Sequence, residues 1–157
     1  MTPLAWLLGF LLPACGTAGA QGLPAPSHLD VSRIERPSSP NTALAAPAGF
    51  RPIPDLETPL YSVPADRLYD AVLAVAQSEP RTFLAASYPE ARQVHYVVRS
   101  AVFNFPDQVT VTAMEAGPGS STLVIWSRSL YGRSDLGVNR SRIARWLQAL
   151  DRRLHPP

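Results

Sequence analysis

Seven residues between positions 99 and 140 have types and spacings suited to handling charge: Arg99, Asp107, Arg128, Arg133, Asp135, Asn139 and Arg140. Guanidinium and carboxylate groups pair in bidentate geometry, so Asp107 and Asp135 are the expected partners of Arg99 and Arg128. If the strand faces that carry these two arginines are covered, each guanidinium approaches the core and needs an anionic or carbonyl partner. One reading is a buried ion-pair network that fixes the turn before the last helix. The other is an anion site: Arg99, Arg128, Arg133 and Arg140, with backbone N–H groups near Asn139, would hold a phosphate or carboxylate.

Other chemistries find less support. His28, His95 and His155 lie far apart in sequence and no pair has metal-ligand spacing, so no metal is expected. Cys15 is the single cysteine, which excludes an intramolecular disulfide and a cysteine-based metal cluster. His95 adjoins Tyr96, but no nucleophile-elbow motif accompanies it, and it reads as an ordinary strand histidine. Gly132 and Gly137 bracket a segment that lacks the Gly-Lys-Ser/Thr ending of a phosphate loop. They are assigned to a tight turn and a helix entry, and no cofactor is expected. All 14 basic residues are arginine, yet the net charge is only +2, too little to argue for a nucleic-acid partner. Between 128 and 153 seven arginines stand against two aspartates. A solvated helix face accounts for most of them, and such a face suits anionic headgroups.

The elements that must position these groups start late in the chain. Nine of the 17 prolines fall between 21 and 64, where they forbid long helices and central strands. The compact domain is therefore expected over 56–155, behind a Pro-rich tether at 21–55 that is semi-extended and partly docked. Leu56 to Val63 reads as a short strand. Pro64-Ala65-Asp66-Arg67 opens a helix whose stripe is Leu68, Ala71, Val72 and Val75. Thr82 to Tyr88, Gln93 to Phe105, the alternating Val109-Thr110-Val111-Thr112, and Ser121 to Tyr131 after the Gly117-Pro118-Gly119-Ser120 turn read as strands. Asn139 is expected to cap a final helix with the stripe Ile143, Leu147, Leu150 and Leu154, flanked by Trp146, with Arg142, Arg145 and Arg152 facing solvent. The class is α+β: an antiparallel sheet of four to five strands with two helices packed on one face, loosely helix-grip-like.

The first twenty residues read as an export signal. Leu4 to Leu12 is a nine-residue apolar run, too short to span a bilayer as a helix and of the length of a signal-peptide apolar region. Three outcomes stay open: a lipobox at Leu12-Pro13-Ala14-Cys15 with lipidation of Cys15, cleavage after Ala18-Gly19-Ala20, or an uncleaved anchor.

Two segments carry a resemblance. Arg99-Ser100-Ala101-Val102-Phe103-Asn104-Phe105-Pro106-Asp107-Gln108-Val109 and the run from Arg128 to Ile143 together resemble the bacterial and plastid domain-of-unknown-function family number 1499. The resemblance covers about 36–152. It implies a short Cys-Pro-x-Ser-Pro-Asn-Cys element ahead of the domain, matched here by Pro37, Ser39, Pro40 and Asn41, with Arg36 and Thr42 in place of the cysteines. That element is expected to dock on the domain, and a thiol function is ruled out here. The family implies no activity. The sequence leads to a non-enzymatic envelope protein, periplasmic or membrane-anchored, that binds an apolar or anionic envelope component or a partner protein. The alternative is a hydrolase or other enzyme with its site in the Arg/Asp cluster.

Overall fold

The computed structural model describes residues 19–155; Cys15 and most of the export signal lie outside them. Six strands form one mixed sheet: β1 (Thr42–Ala46), β2 (Leu56–Glu57), β3 (Thr82–Tyr88), β4 (Gln93–Arg99), β5 (Pro106–Gly117) and β6 (Ser120–Ser129). Their order across the sheet is β2-β1-β6-β5-β4-β3. Helices α1 (Ala65–Ser78) and α2 (Val138–Leu154) supply the second layer. The chain is thus α+β, but its sheet has six strands, and β1 and β2 run parallel while the other neighbours are antiparallel.

The domain begins earlier than expected. Thr42–Ala46 pairs with Thr42↔Arg128 and Ala45↔Ile125 register along β6, inside the stretch read as a tether. The prolines do not forbid this because they flank the strand: Pro40 precedes Thr42 and Pro47 follows Ala46. Asp55 completes the parallel edge, its carboxylate accepting the Leu44 N–H at 2.8 Å. The strand expected over Leu56 to Val63 shrinks to two residues and an isolated bridge between Tyr61 and Ser121.

Alternation along the strands builds two unlike faces. Val94, Tyr96, Val98, Val109, Val111, Ala113, Leu123 and Ile125 meet both helices, through Leu68, Val72 and Val75 of α1 and Ile143, Trp146 and Leu150 of α2. The opposite face is covered by the chain's own N-terminal segment, with Ile34, Leu44, Ala46, Val124 and Trp126 in a second apolar cluster joined by Leu29, Val31 and Phe50. This segment is clasped by Gln93. Its Oε1 accepts the Leu29 N–H at 2.7 Å, and its Nε2 donates to the Leu29 carbonyl at 2.8 Å and to Thr112 Oγ1 at 2.9 Å. Tyr88 adds a hydroxyl bond to the Pro26 carbonyl at 2.8 Å.

Losing the clasp leaves the partly buried Leu29 N–H and carbonyl without their partner, a cost of up to about 1–3 kcal/mol. Gln93→Leu is therefore expected to free the segment locally and speed tryptic cleavage at exposed Arg33 several-fold in limited proteolysis. Unchanged cleavage would mean that other contacts hold the segment.

Candidate functional site

The sheet faces sort the charged residues differently from the pairing expected in sequence. Asp107, Val109 and Val111 point to the helices, whereas Gln108, Thr110 and Thr112 point to the N-terminal segment, on the same side as Gln93, His95, Arg99, Trp126 and Arg128. Asp107 therefore faces away from Arg99 and Arg128 and cannot pair with either. Its partner is Arg142 of α2, at 2.6 Å, with the guanidinium only 4% exposed. Arg142, expected in solvent, lies on the buried side of α2 with Asn139, Ile143, Trp146 and Leu150, at helical spacings of three and four.

The pair belongs to a larger junction. Arg142 Nη1 donates to Asn139 Oδ1 at 2.7 Å and to Ser127 Oγ at 3.1 Å. Asn139, wholly buried, also donates through Nδ2 to the Asn41 carbonyl, to Ser129 Oγ and to Asp135 Oδ2. Asn139 is not the cap: it sits inside α2, and Gly137, at φ +81°, is the residue at the helix boundary. Asp135 does the capping, accepting the N–H groups of Gly137 at 3.0 Å and Asn139 at 2.9 Å. Asn41 Nδ2 donates to the Gly132 carbonyl at 2.8 Å, so the Ser-Pro-Asn element does dock on the turn before α2.

The four arginines of the anion-site reading reach separate places. Arg99 is buried and donates to the carbonyls of Gly19 at 2.9 Å and Asn104 at 3.1 Å. Exposed Arg128 donates to Gln108 Oε1 at 2.9 Å. Arg133 is exposed in the β6–α2 turn, and Arg140 lines a shallow depression with Arg36, Asp55 and Asp135, where two carboxylates balance two guanidiniums. Arg36, in the place of one family cysteine, pairs with Asp55, and Thr42, in the place of the other, lines the same depression.

The interface between sheet and α2, one place to expect a pocket, is filled by Trp146, Ile143 and Leu150. A cleft opens instead on the other face, between residues 24–29 and β4–β6, with a volume of about 250 Å³. His95, Thr110 and Trp126 line it on the sheet side, Pro24, Pro26 and Leu29 on the segment side, with His28, Gln108 and Arg128 also in its walls. His28 and His95, distant in sequence, flank the Tyr88 ring edge-on, at 5.6 and 5.7 Å between centroids. Among the described residues no Asp or Glu lines the cleft.

His95 is the chemical centre of this cleft. Leu29 fixes the Gln93 amide with Oε1 as acceptor, so His95 Nε2, at 3.0 Å from that oxygen, carries the proton. Nδ1 then accepts the Thr110 hydroxyl at 2.8 Å. Burial pushes the imidazole down to about 4, with His28 and Arg128 adding to the effect. Thr110, His95 and Gln93 are thus ordered as hydroxyl, base and orienting group. A base whose conjugate acid titrates so far below neutrality is poorly matched to proton abstraction at pH 7, and Thr110 is itself buried. The relay suits holding the cleft wall in one geometry. Among the described residues no group of three or more His, Cys, Asp or Glu side chains is placed to hold a metal.

The chain belongs to the family described as protein of unknown function (DUF1499), whose model matches residues 34–150. No curated protein matches it. Among solved structures it is similar to the di-domain ARO/CYC BexL from the BE-7585A biosynthetic pathway, at 16% identity and a TM-score of 0.45 over 59% of this chain and 43% of that one. The match spans less than half of that protein's length.

Arg142 and Ser127 are the junction residues that sequence reasoning missed, whereas Asn41 belongs to the element expected to dock. The helical spacing from Asn139 through Ile143 to Trp146 was the signal for Arg142. Breaking a buried pair by removing one partner costs about 3–5 kcal/mol, while replacing both by apolar groups is much milder. Urea denaturation is expected to show that loss for Asp107→Ala, and a clearly smaller one for Asp107→Leu combined with Arg142→Met.

Proposed function

We propose that this is a non-enzymatic cell-envelope protein, exported and either anchored through Cys15 or free in the periplasm, whose outer-face cleft binds a small envelope component with an anionic head and an apolar body. The observation that carries this reading is the cleft's lining: Trp126, Pro24, Pro26 and Leu29 give an apolar wall, and exposed Arg128 and His28 add polar groups beside buried His95. With no carboxylate in the lining, the field inside favours an anion. Gln108 holds Arg128 at the wall, and its Oε1 can be released to free a second guanidinium donor for a ligand. At about 30 Å³ per water the space takes roughly eight waters, which suits a small molecule or the end of a larger one.

The enzyme alternative, with its site among Arg and Asp side chains, finds less support. Arg142 and Asp107 are committed to each other and to α2, and Asp135 to the helix start. Export rests on the apolar run and small residues of the first twenty positions. No helix among the described residues is long and apolar enough to cross a membrane.

The test uses hexanoate and glycerol phosphate as acidic probes against hexanol as a neutral one. Saturating an acidic probe to 100 times its Kd adds about 2.7 kcal/mol to stability. We expect a rise of several degrees in Tm and a change in Trp126 emission with at least one acidic probe, both lost in Arg128→Ala. No shift with any acid, or a shift that survives Arg128→Ala, would contradict the reading.

A further inference from the structure

Where the described chain begins, the surface changes character. Gly19 packs on the Phe83 ring, which a Cβ at position 19 would approach to 3.4 Å, and its carbonyl accepts from Arg99. The same guanidinium holds the Asn104 carbonyl, so Gly19 lies beside the loop joining β4 to β5. That loop is closed on itself: Ser100 Oγ accepts the Phe105 N–H at 2.9 Å, and the Ser100 N–H donates to the Phe105 carbonyl at 2.9 Å. It presents apolar side chains outward, Val102 at 82% and Phe103 at 67% exposure, with Phe105 and Phe83 also exposed. The Phe103 and Phe105 rings lie 5.6 Å apart. Arg81 donates to Asn104 Oδ1 at 2.7 Å and brings a cation to the same loop, while neither 81–88 nor 99–106 contains an acid.

We propose that this apolar cap, Phe83, Val102, Phe103 and Phe105, rests on the surface of a lipid bilayer. The inference rests on the reading above that the chain is exported, and deepens it by selecting anchorage through Cys15. Three residues lie between Cys15 and Gly19, and the four steps along the chain reach at most roughly 14 Å when extended. A chain lipidated at Cys15 cannot carry Gly19 far from the headgroups, and the surface next to Gly19 carries aromatic side chains and a cation on two segments without acids. Exposed aromatic and aliphatic groups beside arginine are the composition that binds at the interface of an anionic membrane. Cleavage after Ala20 would instead remove Gly19 and strip Arg99 of a carbonyl it uses inside the fold.

The experiment takes full-length protein expressed with its own signal, isolated from membranes, and first weighed intact. It is then reconstituted into phosphatidylethanolamine–phosphatidylglycerol vesicles with or without brominated acyl chains. Phe103→Trp keeps the aromatic character, and the unsubstituted protein with its buried Trp126 and Trp146, measured in the same vesicles, gives the background to subtract. Ala116→Trp is the control: it sits near the far end of β5, about 30 Å away at roughly 3.3 Å per residue. The expected result is a diacylglyceryl mass on Cys15 with most of the emission added by Phe103→Trp quenched by bromine, and that added by Ala116→Trp unaffected. An anchored chain whose Phe103→Trp emission is unquenched overturns the bilayer contact and leaves the anchorage standing. The same holds if light scattering in detergent shows that a second copy covers the cap. A mature chain beginning at Gln21, or one that keeps residues 1–14, overturns both.

Discussion

The amide of Gln93 uses all of its hydrogen-bonding capacity. Its oxygen accepts from the Leu29 N–H and from His95 Nε2, and its nitrogen donates to the Leu29 carbonyl and to Thr112. A buried amide satisfied in this way is strongly oriented, and one wrong partner would leave a polar group stranded at substantial cost. Two consequences follow from that single orientation. The N-terminal segment is fixed over the outer sheet face, and the neighbouring imidazole is fixed in one tautomer. The cleft, its neutral histidine and the covered aromatic wall at Trp126 all depend on the segment staying where Gln93 holds it.

The two faces of the sheet divide the labour. On the helix side, Asp107, Arg142, Asn139, Ser127 and Asp135 form a saturated junction that sets the angle at which α2 leaves the last strand. Asp107 and Arg142 are shielded from water and spent on each other. On the other side the polar row of Gln93, His95, Gln108, Thr110 and Thr112 is roofed by a chain segment and not by a helix, and the roof leaves a gap at residues 24–29. A roof of irregular chain is easier to lift than a packed helix, since fewer apolar contacts must part.

Much of this arrangement was legible in the sequence. The helix stripes of α1 and α2, the alternating run from Val109 to Thr112 and the Gly117–Ser120 turn gave the α+β class, and the segments from Arg99 and Arg128 gave the family. What misled was parity. Counting in steps of two from Gln108 or from Asp107 gives opposite faces, and no local signal says which face a segment 60 residues upstream will cover. For the same reason Thr42–Ala46 passed as tether: five small and apolar residues between prolines make a strand only because β6 offers an open edge beside them. The clasp between Gln93 and Leu29 spans 64 residues and leaves no trace in local pattern.

The central claim, that residues 24–34 help hold His95 buried with both ring nitrogens partnered, is tested most directly by long-range ¹H–¹⁵N NMR of the imidazole across a pH series. Burial lowers its pKa from the ordinary 6.5 to about 4, so the folded protein resists a proton that the unfolded chain accepts, and stability falls as pH drops through that window. The account predicts the neutral Nε2–H pattern for His95 persisting down to pH 5. A His95 ring that titrates near 6.5, or that shows the Nδ1–H tautomer, would contradict it.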